Sequence, residues 1–328
     1  MTTKKTRFTI NHERSSRQRD EVDALIEELK SSTPATLSDE HYELLSDLSR
    51  PASDRLAERW MEIDYPVRLG IVQEMVRRFE TDIEHHYDRA LTAALADTES
   101  DVKLLAFEGL TDSNDQGLLA YLITRLPQEE DGAVRAAGAK IFGQFVLESE
   151  LNRLPGDESD SVRDTVVSMA SRDTDRRVRL QSLESAAFLS DNDVIVRLID
   201  DAWRSGSHDA QVSALRAMGR QCDPRWMETV VNEFASDEPE VRFEAARAAG
   251  NLGGQRIVPQ LIDLTEDDDV EVQMAAIAAL GAIGGDIAVT ALRNLEHSES
   301  VAIADAASAA LEEAVLADSA TRPPNSLW

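Results

Sequence analysis

Cysteine is almost missing from this 328-residue chain. Its one cysteine, Cys222, can form neither an intramolecular disulfide nor a zinc cage, which fits a reducing compartment. Aromatic residues make up only 5%, and basic residues are outnumbered, with 34 Lys and Arg against 62 Asp and Glu, for a net charge of −28. A polyanion repels phosphate, so no nucleic-acid partner is expected over most of this surface, and anionic membranes are disfavoured for the same reason. Long apolar runs are also lacking. The longest uncharged stretch, 272–285, is too short and too broken by glycine to span a bilayer. Residues 1–20 hold six basic side chains against two acidic ones, but not the apolar stretch of a secretory signal, so a cytoplasmic protein is expected.

What is present is a repeat. An acidic turn is followed by Val-Arg-x-x-Ala-x-x-x-Ala/Leu-Gly, clearest in Val241-Arg242-Phe243-Glu244-Ala245-Ala246-Arg247-Ala248-Ala249-Gly250. The same register starts at Val67, Val102, Val134, Val178, Ala210, Val241, Val272 and Ile303, in steps of 35, 32, 44, 32, 31, 31 and 31. Counting each start as position 0, small and apolar residues fall at 0, +4, +5 and +8, one side of a helix. A second apolar-periodic segment precedes each start, as in Ile257 to Leu264, so each unit reads as helix, turn, helix. Such a unit cannot bury its apolar face alone and must lean on its neighbours. Asp223-Pro224 reads as a helix start, Gly253-Gly254 and Gly284-Gly285 as helix ends, and Asp267-Asp268-Asp269 as a capping turn.

These signals predict an all-α, right-handed α–α solenoid of about eight helical hairpins over 63–316. A helical cap is expected at 21–62, a basic flexible tail at 1–20 and a flexible tail at 317–328. The step of 44 places an insertion at 148–160, around Pro155-Gly156, ahead of an extra-long helix. The repeated phrase resembles HEAT repeats, specifically the short, roughly 30-residue variety named from phycobilisome lyases, across 65–315. The resemblance implies the fold. For function it implies a mixture of lyases, a hydroxylase and many scaffolds.

Chemistry-bearing patterns are weak by comparison. The paired His-Glu motifs of the hydroxylase branch, which hold a di-iron centre, are not matched: the one His-Glu pair, His12-Glu13, lies outside the array. No lyase motif accompanies the single cysteine. The densest set of metal-ligand types, Asp82 to Asp88, has adjacent His85 and His86 that point about 100° apart, so it reads as a surface helix start rather than a metal site. No cofactor, metal or catalytic residue is assigned. The +1 arginines Arg68, Arg135, Arg179 and Arg242 are expected to bind acidic turns of their own or the neighbouring unit, with Asp237 and Asp131 as candidates. Trp203 and Trp226 read as fillers between layers.

Positions +2, +6 and +10 lie opposite the buried side. They bring Val212, Phe243 and Met274 together with Lys140, Glu184, Arg216, Arg220, Arg247 and Asn251. If the second helices line the concave side, as HEAT arrays imply, these residues floor a groove for a protein segment; the alternative is that the +2 side chains tuck against adjacent helices and the arginines pair with Glu184 and Glu244. The expectation is therefore a non-catalytic scaffold or adaptor with a protein partner. The alternatives are an enzyme of the lyase or hydroxylase branch and a nucleic-acid binder using the groove arginines.

Overall fold

The computed structural model describes residues 2–81 and 85–321, with side chains placed for 16–79 and 85–315. Among the described residues it is helical throughout, without a strand. Helices α1 (Thr2–Leu29) and α2 (Asp39–Leu45) come first. Eight consecutive pairs of a first and a second helix follow: α3 (Arg50–Arg59) with α4 (Tyr65–Thr81), α5 (Asp88–Ala94) with α6 (Ser100–Gly109), α7 (Gln116–Thr124) with α8 (Gly132–Glu150), and α9 (Gly156–Arg172) with α10 (Arg176–Ala186). The last four are α11 (Asp193–Arg204) with α12 (His208–Gln221), α13 (Met227–Asn232) with α14 (Pro239–Leu252), α15 (Val258–Leu264) with α16 (Val270–Ile283), and α17 (Gly285–Leu295) with α18 (Val301–Thr321). The fold is an α–α solenoid. Every second helix begins two residues before position 0 of the sequence repeat, at 65, 100, 132, 176, 208, 239, 270 and 301.

The array expected across 63–316 divides into two compact units, Met1–Ser182 and Leu183–Trp328, with the division inside α10. In the first unit, α3, α5, α7 and α9 stack in succession, as do α4, α6 and α8. In the second, α12, α14, α16 and α18 form one stack and α15 packs on α17. The segment expected as a basic tail, 1–20, runs into the residues after it as α1, which packs on α3 through the fully buried Leu25, Ile26 and Leu29. The C-terminal tail expectation falls on 322–328, outside the described residues, while 317–321 belongs to α18. The extra residues of the long step sit in the helices: α8 has 19 residues and α9 has 17, where α12, α14 and α16 have 14 each.

Local signals start and stop these helices. The Asp269 carboxylate accepts from the Glu271 N–H at 2.8 Å, Asp131 from Ala133 at 2.8 Å and Asp115 from Gly117 at 2.7 Å, each satisfying a first-turn donor. Asp223 does the same for Arg225 at 2.9 Å, with Pro224 opening the turn. At position +12, Gly253 (φ 71°, ψ −169°) and Gly284 (φ 62°, ψ −158°) take a backbone open to glycine, whereas Cys222 ends its helix in the left-handed region at φ 50° and ψ 27°.

Small residues set the spacing of the second stack. A Cβ on Gly219 would lie 2.9 Å from Ala248 Cα, one on Gly250 3.0 Å from Ala279 Cα, and one on Gly281 2.8 Å from the Ala310 carbonyl oxygen. Position +9 of one repeat thus meets position +7 of the next three times in succession, which is why the phrase ends in glycine.

A second periodic contact is polar. Arg68 donates from Nε and Nη2 to Asp97 at 2.7 and 3.0 Å, Arg135 to Asp173 at 2.8 and 2.8 Å, and Arg242 to Asp267 at 2.7 and 2.8 Å. Lys103 reaches Glu129 at 2.7 Å. Each acid stands at position −5 of the following repeat, and each arginine also donates Nη1 to carbonyls of its own turn: Ile63 for Arg68, Glu129 and Glu130 for Arg135, Ser236 for Arg242. Arg179 makes the carbonyl half of this pattern, with Asp173 and Thr174. The side-chain partners are therefore neighbours' acids rather than Asp237 or Asp131, because the arginine points along the stack and its own turn offers only main-chain oxygen. Where +1 is glutamine, at Gln211 and Gln273, the next −5 position is serine, Ser236 and Ser298.

Candidate functional site

Lys140, Phe243, Met274, Arg216, Arg220, Arg247 and Asn251 all keep some solvent exposure. Lys140 lies on α8 in the first unit, and the others lie on α12, α14 and α16 in the second. Two expected groove residues are buried instead. Val212, at 4% exposure, belongs to the core of α12, which packs against both α11 and α14. Glu184, at 5%, is covered as well and accepts from the Ser213 hydroxyl at 2.7 Å.

The arginines are not a free positive patch. Arg216 Nε donates to Glu244 at 2.8 Å and its head lies 3.6 Å from Glu184 and 3.8 Å from Glu240. Arg247 reaches Glu244 at 3.1 Å, and Arg220 sits 3.9 Å from Glu184 and 5.4 Å from the centre of the Phe188 ring. Three guanidinium groups thus meet three carboxylates, and the cluster is neutral. Glu244, only 2% exposed, is its anchor: it sits at +3, where α14 faces α12, and both Arg216 and Arg247 converge on it. Burial works against the Arg216 cation, yet the Glu244 hydrogen bond, backed by Glu184 and Glu240, raises its pKa on balance. Arg220 shifts the other way, since burial lowers its pKa more than Glu184 restores it.

Beside this cluster, the first turns of α14 and α16 enclose an open concavity of about 370 Å3, lined by Arg216, Pro239, Glu240, Phe243, Glu244, Asp269 and Glu271. Phe243 is half-buried at its floor, with the Arg247 guanidinium 5.6 Å from the ring centre. Apolar residues at position −2 stand exposed along the same edge, Val270 at 55% and Val301 at 73%, in line with Pro239. The sequence pattern gave no weight to these residues because a helix's first position reads as part of its cap. Their recurrence every 31 residues was the available signal.

The larger concavity of the first unit, about 560 Å3, lies among α3, α5 and α7 over Ala57, Ala93, Ala96 and Ala120. Ion pairs Arg89–Asp115 at 2.9 Å and Lys103–Glu129 at 2.7 Å occupy its rim. In the Asp82 to Asp88 cluster, residues 82–84 lie outside the described residues; His85 stacks on Tyr87 with ring centres 6.1 Å apart, and α5 starts at Asp88. Trp226 is buried and donates to Gln221 at 2.8 Å, in keeping with a filler. No helix among the described residues is long and apolar enough to cross a membrane.

Residues 227–312 match the family model described as HEAT repeats. No curated protein matches the chain. Among solved structures, an engineered protein is similar at 19% identity over 90% of this chain and 88% of its own, with a TM-score of 0.41. Kap121p is similar at 17% identity over 89% of this chain and 37% of its own, with a TM-score of 0.42, and Kap121p bound to Nup53p at 14% over 90% and 37%, with a TM-score of 0.41.

Proposed function

Because the chain is a HEAT-repeat solenoid, we propose that it is a non-catalytic interaction scaffold that takes a segment of a partner protein on the open edge of its second helices. The observation that carries this reading is the half-buried Phe243 at the floor of a concavity, with Met274 in the same position of the next repeat. A side chain held partly open at one repeat after another offers apolar area that folding has not consumed. Arg216, Arg220 and Arg247 then act as a rigid, internally neutralised frame, and Asn251 adds an exposed amide beside them. That neutrality counts against the nucleic-acid reading, since a phosphate would have to displace the paired glutamates.

The test is affinity purification of the tagged full-length chain from its native cells, read by mass spectrometry. Wild type should retain a stoichiometric protein partner, and Phe243→Ser with Met274→Ser should lose it while circular dichroism is unchanged. Equal retention by the double variant would refute the site, and stoichiometric iron with substrate turnover would refute the scaffold.

A further inference from the structure

The exposed edge of the second unit repeats, and its chemistry selects a partner. Pro239, Val270 and Val301 begin three consecutive stacked helices, α14, α16 and α18. Stacked helix axes lie about 8–10 Å apart, so these apolar residues recur at that spacing along the edge. A polyproline-II chain rises about 3.1 Å per residue with three residues per turn, so every third side chain returns to the same face and one turn spans one step.

Acids flank this apolar line. Glu238, Glu240, Asp268 and Glu271 are all exposed. Glu240 meets His208 at 2.8 Å and Arg216 at 3.8 Å, while Glu238, Asp268 and Glu271 make no ion pair with a described residue. The concavity over Phe243 is lined by four carboxylates against the single guanidinium of Arg216. The unit as a whole, Leu183–Trp328, carries 26 Asp and Glu against 10 Arg, and no Lys. A first-turn acid is ordinary helix chemistry, as it complements the helix dipole. Exposed valine and proline between such acids are not required by it.

We propose that this edge binds an extended basic protein segment. One Arg or Lys enters the Phe243 concavity between Glu240 and Glu271. Apolar residues at the third and sixth positions beyond it rest on Val270 and Val301, with further basic residues between them facing Asp268 and its neighbours. Main-chain extension supplies the spacing, apolar contact the anchoring, and charge complementarity the choice of partner. This rests on the proposed scaffold role and narrows it to one class of ligand.

The experiment is selection of random nine-residue peptides displayed on phage against the immobilised full-length protein, with enriched peptides then measured by fluorescence anisotropy. Enrichment of Lys and Arg with apolar residues at every third position is expected. Glu240→Lys with Glu271→Lys should weaken the selected peptides at least tenfold, Val270→Ser should weaken them about threefold, and raising salt from 50 to 500 mM should weaken wild-type binding strongly. Acidic or unpatterned enriched peptides, no enrichment, or unchanged affinity in the charge-reversed variant would each overturn the proposal. If the Phe243 and Met274 variant loses its cellular partner but selection yields no basic pattern, the scaffold reading stands and this inference falls. Self-association of the chain at the same edge, seen as dimers by sedimentation and abolished by Val270→Ser, would also overturn it.

Discussion

The two compact units solve the same stacking problem with different chemistry. In the first, where repeat starts are 35, 32 and 44 residues apart, buried ion pairs tie successive layers: Arg68 to Asp97, Lys103 to Glu129 and Arg135 to Asp173. In the second, where the step is a constant 31, glycine on alanine sets the spacing at Gly219, Gly250 and Gly281, and Arg242 to Asp267 is the one ion pair of this type among the described residues. Backbone contact of that closeness demands that each layer present the same small residue at the same height, and a regular period provides it. An irregular period does not, and there a long cationic side chain, arginine or lysine, spans the variable gap. The regular unit is also the one whose edge repeats evenly enough to address an extended chain.

Breaking the first unit at its most buried pair has the largest expected effect. The Arg68 and Asp97 side chains are 5% and 0% exposed, and the Trp60 indole N–H also donates to Asp97 at 2.7 Å. Asp97→Ala leaves a buried guanidinium without its counter-charge, and urea unfolding should report a loss of about 3–5 kcal/mol. Acid should act on the same rung. Burial pushes the Asp97 carboxyl up, but Arg68, the Glu99 N–H and Trp60 together hold it below its ordinary 3.8. A depressed carboxylate stabilises the fold fully above its unfolded value and loses that contribution as pH falls through the folded one. The wild-type advantage over Asp97→Ala should therefore shrink below about pH 4. An advantage that persisted unchanged at pH 2 would contradict the ion-pair account.

In the second unit the corresponding break is steric. A side chain at Gly281 meets the Ala310 carbonyl oxygen, Cα and Cβ within 2.9 Å, so Gly281→Val should cost about 1–3 kcal/mol and raise hydrogen exchange in α16 and α18. Exchange that left those helices protected would mean that the layers are not held at this contact.

Much of this was legible in the amino-acid pattern, for a physical reason: a helix that packs on both sides needs small residues at fixed intervals, and that requirement writes itself into Ala245, Ala246, Ala248, Ala249 and Gly250. The phase of all eight second helices followed from it. Long-range partners did not, since Arg135 and Asp173 are 38 residues apart and nearer acids compete on paper. Helical periodicity placed Val212 and Phe243 on one face but could not say that the first is buried and the second left half open. It left open whether Arg216 and Arg247 are available cations or pair with Glu184 and Glu244, and the buried Glu244 takes both. The division inside α10 has one trace in the sequence: Arg179 is the one arginine of the +1 series followed at the next −5 position by serine, Ser205, rather than by a carboxylate.

Positions +1 and −5 of successive repeats form a pairing code, charged with charged and glutamine with serine, with Arg179 and Ser205 as its one exception. The code is tested most directly by writing a new rung into the second unit, at Gln273 and Ser298, and measuring a double-mutant cycle by urea unfolding. Gln273→Arg alone and Ser298→Asp alone should each be neutral or destabilising, and together they should recover at least about 1 kcal/mol of favourable coupling. Additive effects, with no coupling between the two substitutions, would contradict the code.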